Sequence, residues 1–111
     1  MAKVLKLRAK MLREWSSWIN EVVNAIKEVL PDAEVYIIGS VACGEAIGSS
    51  DLDLLIVSEN SPDKPKDRAT LIARIEDQAQ LPLYHPIEFH FIKPQDKYRY
   101  LAKSKKYIRL A

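Results

Sequence analysis

Residues 35–59 read VYIIGSVACGEAIGSSDLDLLIVSE, and no other stretch restricts the fold as much. Two short apolar runs are separated by a segment carrying Gly39, Gly44 and Gly48. Runs this short, rich in β-branched and aromatic residues, read as strands rather than helices. The second run opens with Asp51 and Asp53 alternating with Leu52 and Leu54. On a strand, residues i and i+2 face the same way, with Cα atoms roughly 6.5 Å apart. Both carboxylates are therefore expected on one face, and two like charges so close repel unless a cation lies between them.

The rest of the chain supplies what such a sheet needs. Leu12, Trp15, Ile19, Val22, Ile26 and Val29 recur at steps of three and four, which predicts one long amphipathic helix ended by Pro31. Strands are predicted over 34–38 and 51–58, with a short helix over 41–46 between them. Leu54, Leu55, Ile56 and Val57 are apolar on both faces, as in a central strand. A loop over 59–66 leads to a helix N-capped by Asp67, with Leu71, Ile72, Ile75 and Ala79 as its apolar stripe. Residues 87–92 (IEFHFI) alternate as a third strand, and Pro94 starts a last, basic helix over 95–108. The expectation is one α+β domain over 1–111. It would have a three- to four-stranded mixed sheet with the long first helix and the Asp67 helix mainly on one face.

Composition narrows the class. Hydrophobic residues at 48% and charged residues at 29% suit a globular protein, and no apolar run nears the ~20 residues of a membrane span. The basic N-terminus lacks an apolar signal core, and the lone Cys43 can form no internal disulfide, so a cytoplasmic location is expected. Charge is unevenly spread. Residues 1–13 carry five basic side chains and no acid, and residues 93–111 carry seven against one. The middle carries five basic and fourteen acidic residues. These are either solvated helix faces, or basic ends that flank an acidic centre and help hold a polyphosphate or an acidic partner.

The chemistry lies where these features meet. Asp51 and Asp53 offer hard oxygen ligands of the kind that hold Mg²⁺ together with substrate phosphates. Glu88, between Ile87 and Phe89, is the candidate third carboxylate, which would let the site hold two ions. Gly39 lets the backbone approach a ligand, and the Ser40 hydroxyl can donate to a phosphate oxygen.

With its Gly-Ser after an apolar strand, about ten residues, then Asp-x-Asp in a second strand, the stretch resembles the signature of the nucleotidyltransferase superfamily that includes DNA polymerase beta. The short chain is similar to the minimal nucleotidyltransferases. The resemblance implies that Gly39 and Ser40 hold a nucleoside triphosphate and that Asp51, Asp53 and Glu88 bind two Mg²⁺ ions. It implies transfer of a nucleoside monophosphate, AMP from ATP, to an acceptor hydroxyl such as a tyrosine of a helical HEPN-type toxin partner. A non-catalytic antitoxin acting by occlusion, or a nucleic-acid-binding module built on the basic C-terminal segment, are the other readings. The chain departs from the family where Val41 and Cys43 stand in place of arginine.

Several residues stay open. His90, on the Glu88 face, could touch the triphosphate, orient a metal ligand or be structural. His85 reads as a loop residue, Trp15 and Trp18 as core, and Cys43 as packing. Tyr98, Tyr100 and Tyr107, interleaved with basic residues, suit an acidic protein partner, a polyphosphate tail or the chain's own dimer. Duplex nucleic acid is not expected to bind tightly, because no base-reading motif is present.

Overall fold

A computed structural model describes residues 2–111. Helices α1 (Ala2–Arg13) and α2 (Trp15–Val29) lead into strand β1 (Glu34–Ile38) and the one-turn helix α3 (Gly39–Ala42). Strand β2 (Leu52–Val57), helix α4 (Pro65–Gln78) and strand β3 (Ile87–Ile92) follow. A 3₁₀ turn (Pro94–Asp96), helix α5 (Lys97–Lys103) and strand β4 (Ile108–Arg109) complete the order. No described helix is long and apolar enough to cross a membrane.

The sheet order is β3-β2-β1-β4. β2 runs antiparallel to β1 and parallel to β3, and β4 is antiparallel to β1. The fold is thus α+β with a four-stranded mixed sheet. Alternation sorts the side chains. Val35, Ile37, Leu52, Leu54 and Ile56 face α2 and α4, where Ile19, Val22, Ile26 and Ile75 complete the larger core. Tyr36, Leu55, Val57 and Ile92 face the other way, where Leu101 of α5 covers them. α5 is short, so the beginning of β2 and β3 on that second face stays open.

Four expectations are corrected. The first helix is two helices, broken at Glu14 (φ −99°, ψ 24°). The carbonyl of Met11 accepts the indole N–H of Trp18 at 2.9 Å, a side-chain bond in place of the next helical amide. The short helix lies earlier, over Gly39–Ala42, because Gly44 (φ +71°) reverses the chain. The N–H groups of Gly44 and Glu45 cap the carbonyls of Val41 and Ser40 at 3.2 and 2.9 Å, a Schellman ending. Asp67 is not the cap of α4. Pro65, with φ already helical, starts that helix, and Asp67 lies in its first turn. The last helix stops at Lys103, and the chain returns as β4, whose Ile108 and Arg109 pair with Ile37 and Tyr36 of β1.

That return is fastened by charge. Glu34 of β1 accepts from Lys97 at 2.7 Å and from the Tyr36 hydroxyl at 2.8 Å, with Arg109 3.9 Å away. Tyr107 packs edge-on against Tyr36, and Tyr100 packs on the second core. The tyrosines therefore form no continuous exposed stripe: Tyr98 stands well out, at 78% exposure, Tyr107 keeps half of its surface exposed, and Tyr100 is half-buried. The Lys97 ammonium, then the Tyr36 hydroxyl, hold the Glu34 carboxyl below its usual pKa of 4.5. A depressed carboxylate contributes stability that is present above the unfolded value and lost as pH falls through the folded one. Urea midpoints measured against pH should therefore decline below about pH 4.5, and Glu34→Gln should flatten that decline. An unchanged slope in the variant would show that Glu34 does not link the β4 return to stability.

Candidate active site

β1 ends where the register sets Ile38 opposite Asp53, and the chain then turns sharply at Gly39 (φ +75°). A β-carbon at position 39 would stand 2.6 Å from Asp53 Oδ2. The left-handed backbone and the missing side chain are both needed for the turn to close over the carboxylate. Ser40 follows directly, inside α3.

Parallel pairing of β2 with β3 sets Asp53 beside Glu88 and Leu55 beside His90. The three polar residues share the open face, while Leu52, Leu54 and Ile87 point into the larger core. His90 Nε2 lies 3.1 Å from Asp53 Oδ1 and 3.9 Å from Glu88 Oε1. One ligand atom from each of Asp53, Glu88 and His90 fits within a mutual distance of 4.8 Å. The side chains of Asp53, His90 and Glu88 are 25%, 32% and 53% exposed, so they form a shelf open to solvent. Two carboxylates that converge on an open face leave room for waters and substrate phosphates, and that donor set fits a hard divalent cation.

Asp51 stands apart from this group. The β2 ladder starts at Leu52, whose N–H bonds the Pro86 carbonyl at 2.8 Å, so pairing does not hold Asp51 on the shelf. Its carboxylate meets Arg8 of α1 at 2.5 Å, and the same guanidinium bonds the Ser50 carbonyl at 2.9 Å. The structure thus brings Asp53 and Glu88 together beneath Gly39, adds His90, and couples Asp51 to the first helix.

Sequence reasoning missed three positioning side chains. Arg8 was one of five basic residues in an unpatterned N-terminus. Ser104 accepts the Gly39 N–H at 3.1 Å from 65 residues away, and nothing in the sequence marks it. His85, expected only as a loop residue, takes the Ile87 N–H on Nδ1 at 3.1 Å and meets Glu76 of α4 through Nε2 at 2.6 Å. It pins the start of β3, one residue before Glu88. A groove of about 450 Å³ between α1 and the Gly48-Ser49 segment is lined by Leu5, Lys6, Arg8 and Ala9. The acid shelf lies outside this groove and is marked by its chemistry rather than by concavity.

Comparison with known proteins places the family and the fold. The profile of the nucleotidyltransferase domain family matches residues 19–109. The structure of a candidate nucleotidyltransferase is 31% identical, with a TM-score of 0.58, over 84% of this chain and 97% of that one. Another candidate nucleotidyltransferase, from Sulfolobus solfataricus, has the same fold at 22% identity, with a TM-score of 0.61 over 96% of this chain and 84% of that one. A toxin-antitoxin structure with AMP-PNP also shares the fold, at 15% identity and a TM-score of 0.57 over 83% of this chain and 71% of that one. No curated protein matches the sequence.

The Gly39 geometry makes a direct prediction. Gly39→Ala should cost about 1–3 kcal/mol from the left-handed backbone, and it should also push the Asp53 carboxylate off the shelf. Chemical denaturation measures the first effect and Mn²⁺ titration the second. A variant with parental stability and parental Mn²⁺ affinity would contradict the close approach.

Proposed function

The chain belongs to the nucleotidyltransferase domain family, and on that premise we propose that it moves AMP from ATP to the hydroxyl of a protein acceptor. The observation that carries the reading is the convergence of Asp53, Glu88 and His90 beneath the Gly39-Ser40 turn. Mg²⁺ bound there would neutralise the triphosphate and ease ionisation of the acceptor hydroxyl. Asp53 and Glu88 would hold the cation. Asp51 is the third carboxylate of the set, and its exposed pair with Arg8 is worth about 0–1 kcal/mol, too little to keep it from a stronger ligand.

The residues divide the work. Gly39 and Ser40 seat the triphosphate against the shelf. His90, with its ring proton on Nε2, donates to Asp53 Oδ1 and fixes the carboxylate's orientation. The acceptor oxygen forms a new bond to the α-phosphorus, the bond to the bridging oxygen breaks, and pyrophosphate leaves in line. Glu88 is the most exposed member of the shelf and takes the acceptor proton. AMP-PNP in the toxin-antitoxin structure of like fold supports an adenine nucleotide as donor. That structure is of a toxin-antitoxin pair, which supports a protein partner, and the helical HEPN type and the acceptor tyrosine come from the family resemblance alone.

The test is incubation with ATP, Mg²⁺ and the co-purifying partner, read by intact-protein mass spectrometry. A partner heavier by one AMP supports the proposal. Asp53→Asn should abolish the transfer with the fold intact, and Glu88→Gln should slow it about 10²–10⁴-fold. Full transfer by Asp53→Asn would sink the mechanism. A partner that is bound and silenced without any gain in mass would replace transfer with occlusion.

A further inference from the structure

The segment after α5 reads Lys103-Ser104-Lys105-Lys106, and it is clipped to the turn over the acid shelf. Ser104 Oγ accepts the Gly39 N–H at 3.1 Å and donates to the carbonyl of Lys106. One hydroxyl thus closes a small loop of its own and ties that loop to the turn. Lys105 Nζ lies 4.0 Å from Glu45 Oε1, on the far side of α3. The segment therefore grips both ends of residues 39–45. Gly39 itself packs on Asp53, so Ser104 stands one contact from the shelf.

Charge gives this contact a purpose. Of the seven basic side chains beyond residue 92, five face acids: Lys93 with Asp63, Lys97 with Glu34, Arg99 with Asp96, Arg109 with Glu34 and Lys105 with Glu45. Lys103 and Lys106 remain, and with Lys105 they flank Ser104. Lys103 lies over the Tyr100 ring, and Lys106 makes no ion pair among the described residues. The Lys105–Glu45 pair is long, and the Lys105 side chain is 82% exposed, so a phosphate can displace it. Asp53, Glu88 and Glu45 make this end of the sheet acidic, and residues 39–43, with Val41 and Cys43, carry no cation.

We propose that residues 103–106 form the cationic wall of the triphosphate subsite. Ser104 is a positioning residue that fixes the Gly39-Ser40 turn, and Lys105 and Lys106 bind the β- and γ-phosphates. This rests on the nucleotidyl-transfer reading and assigns to it a segment far from the strand motif. The lysines supply the charge that α3 lacks. Phosphate oxygens accept charge-assisted hydrogen bonds from them, which are stronger than the surface pair given up.

Calorimetry of the full chain with Mg²⁺, using AMP-PNP and AMP as probes, tests it. The double variant Lys105→Ala/Lys106→Ala should weaken AMP-PNP about tenfold or more and leave AMP binding unchanged, because AMP lacks the tail. Its thermal midpoint should match the parent's, and its AMP-PNP affinity should fall less steeply with salt. Ser104→Ala should weaken both nucleotides, and Ser104→Thr, which keeps the hydroxyl, should restore them. Equal AMP-PNP binding by parent and double variant overturns this inference, points to an acidic protein as the lysines' partner, and leaves the transfer reading standing. Equal loss of AMP and AMP-PNP in the double variant overturns the assignment to the tail. A parent that binds no AMP-PNP overturns the transfer reading and the inference together.

Discussion

Asp53 occupies space that any side chain at position 39 would claim, and the rest of the site follows from that fit. The carboxylate fits beneath the turn because Gly39 adopts a left-handed conformation with no β-carbon. That turn fixes where β1 stops, where α3 begins and which backbone N–H reaches Ser104. The antiparallel register of β1 with β2 brings the turn to Asp53, and the parallel register of β2 with β3 brings Glu88 and His90 to the same place. A slip of one residue in either ladder would send the carboxylates into the apolar core. The burial of Leu52, Leu54 and Ile56 on the opposite face holds that register.

Local pattern made the strands legible and left the tertiary contacts hidden. Residues 34–38 and 87–92 form strands as their β-branched and aromatic content predicts. The four apolar residues from Leu54 to Val57 do form the central strand, paired on both sides. Helical periodicity ran through Glu14 without a sign of the break, because the break depends on an indole reaching back to the Met11 carbonyl. The basic tail reads as helix by composition. It leaves the helix because β1 had an unpaired edge that Ile108 and Arg109 could fill, a need set by the sheet and invisible in the tail itself.

The site was legible in the same uneven way. Asp53 and Glu88 were marked by their places in alternating strands, and the structure sets them side by side. Asp51 shares the alternation but lies one residue before the ladder, so Arg8 rather than pairing decides where it points. Arg8 and Ser104 sit in segments whose composition names no partner, and each contacts the motif from more than 40 residues away. The charge pattern did carry a real feature. The basic ends meet the acidic middle at Asp51, through Arg8, and at Glu45, through Lys105.

A crystal structure of the chain with Mn²⁺ and AMP-PNP, with the metal located by its anomalous scattering, tests the central claim most directly. The account predicts Mn²⁺ held by the Asp53 and Glu88 carboxylates, with the phosphates lying along the Gly39-Ser40 turn. A metal peak elsewhere, or nucleotide seated in the groove between α1 and Gly48 with no cation on the shelf, would contradict it.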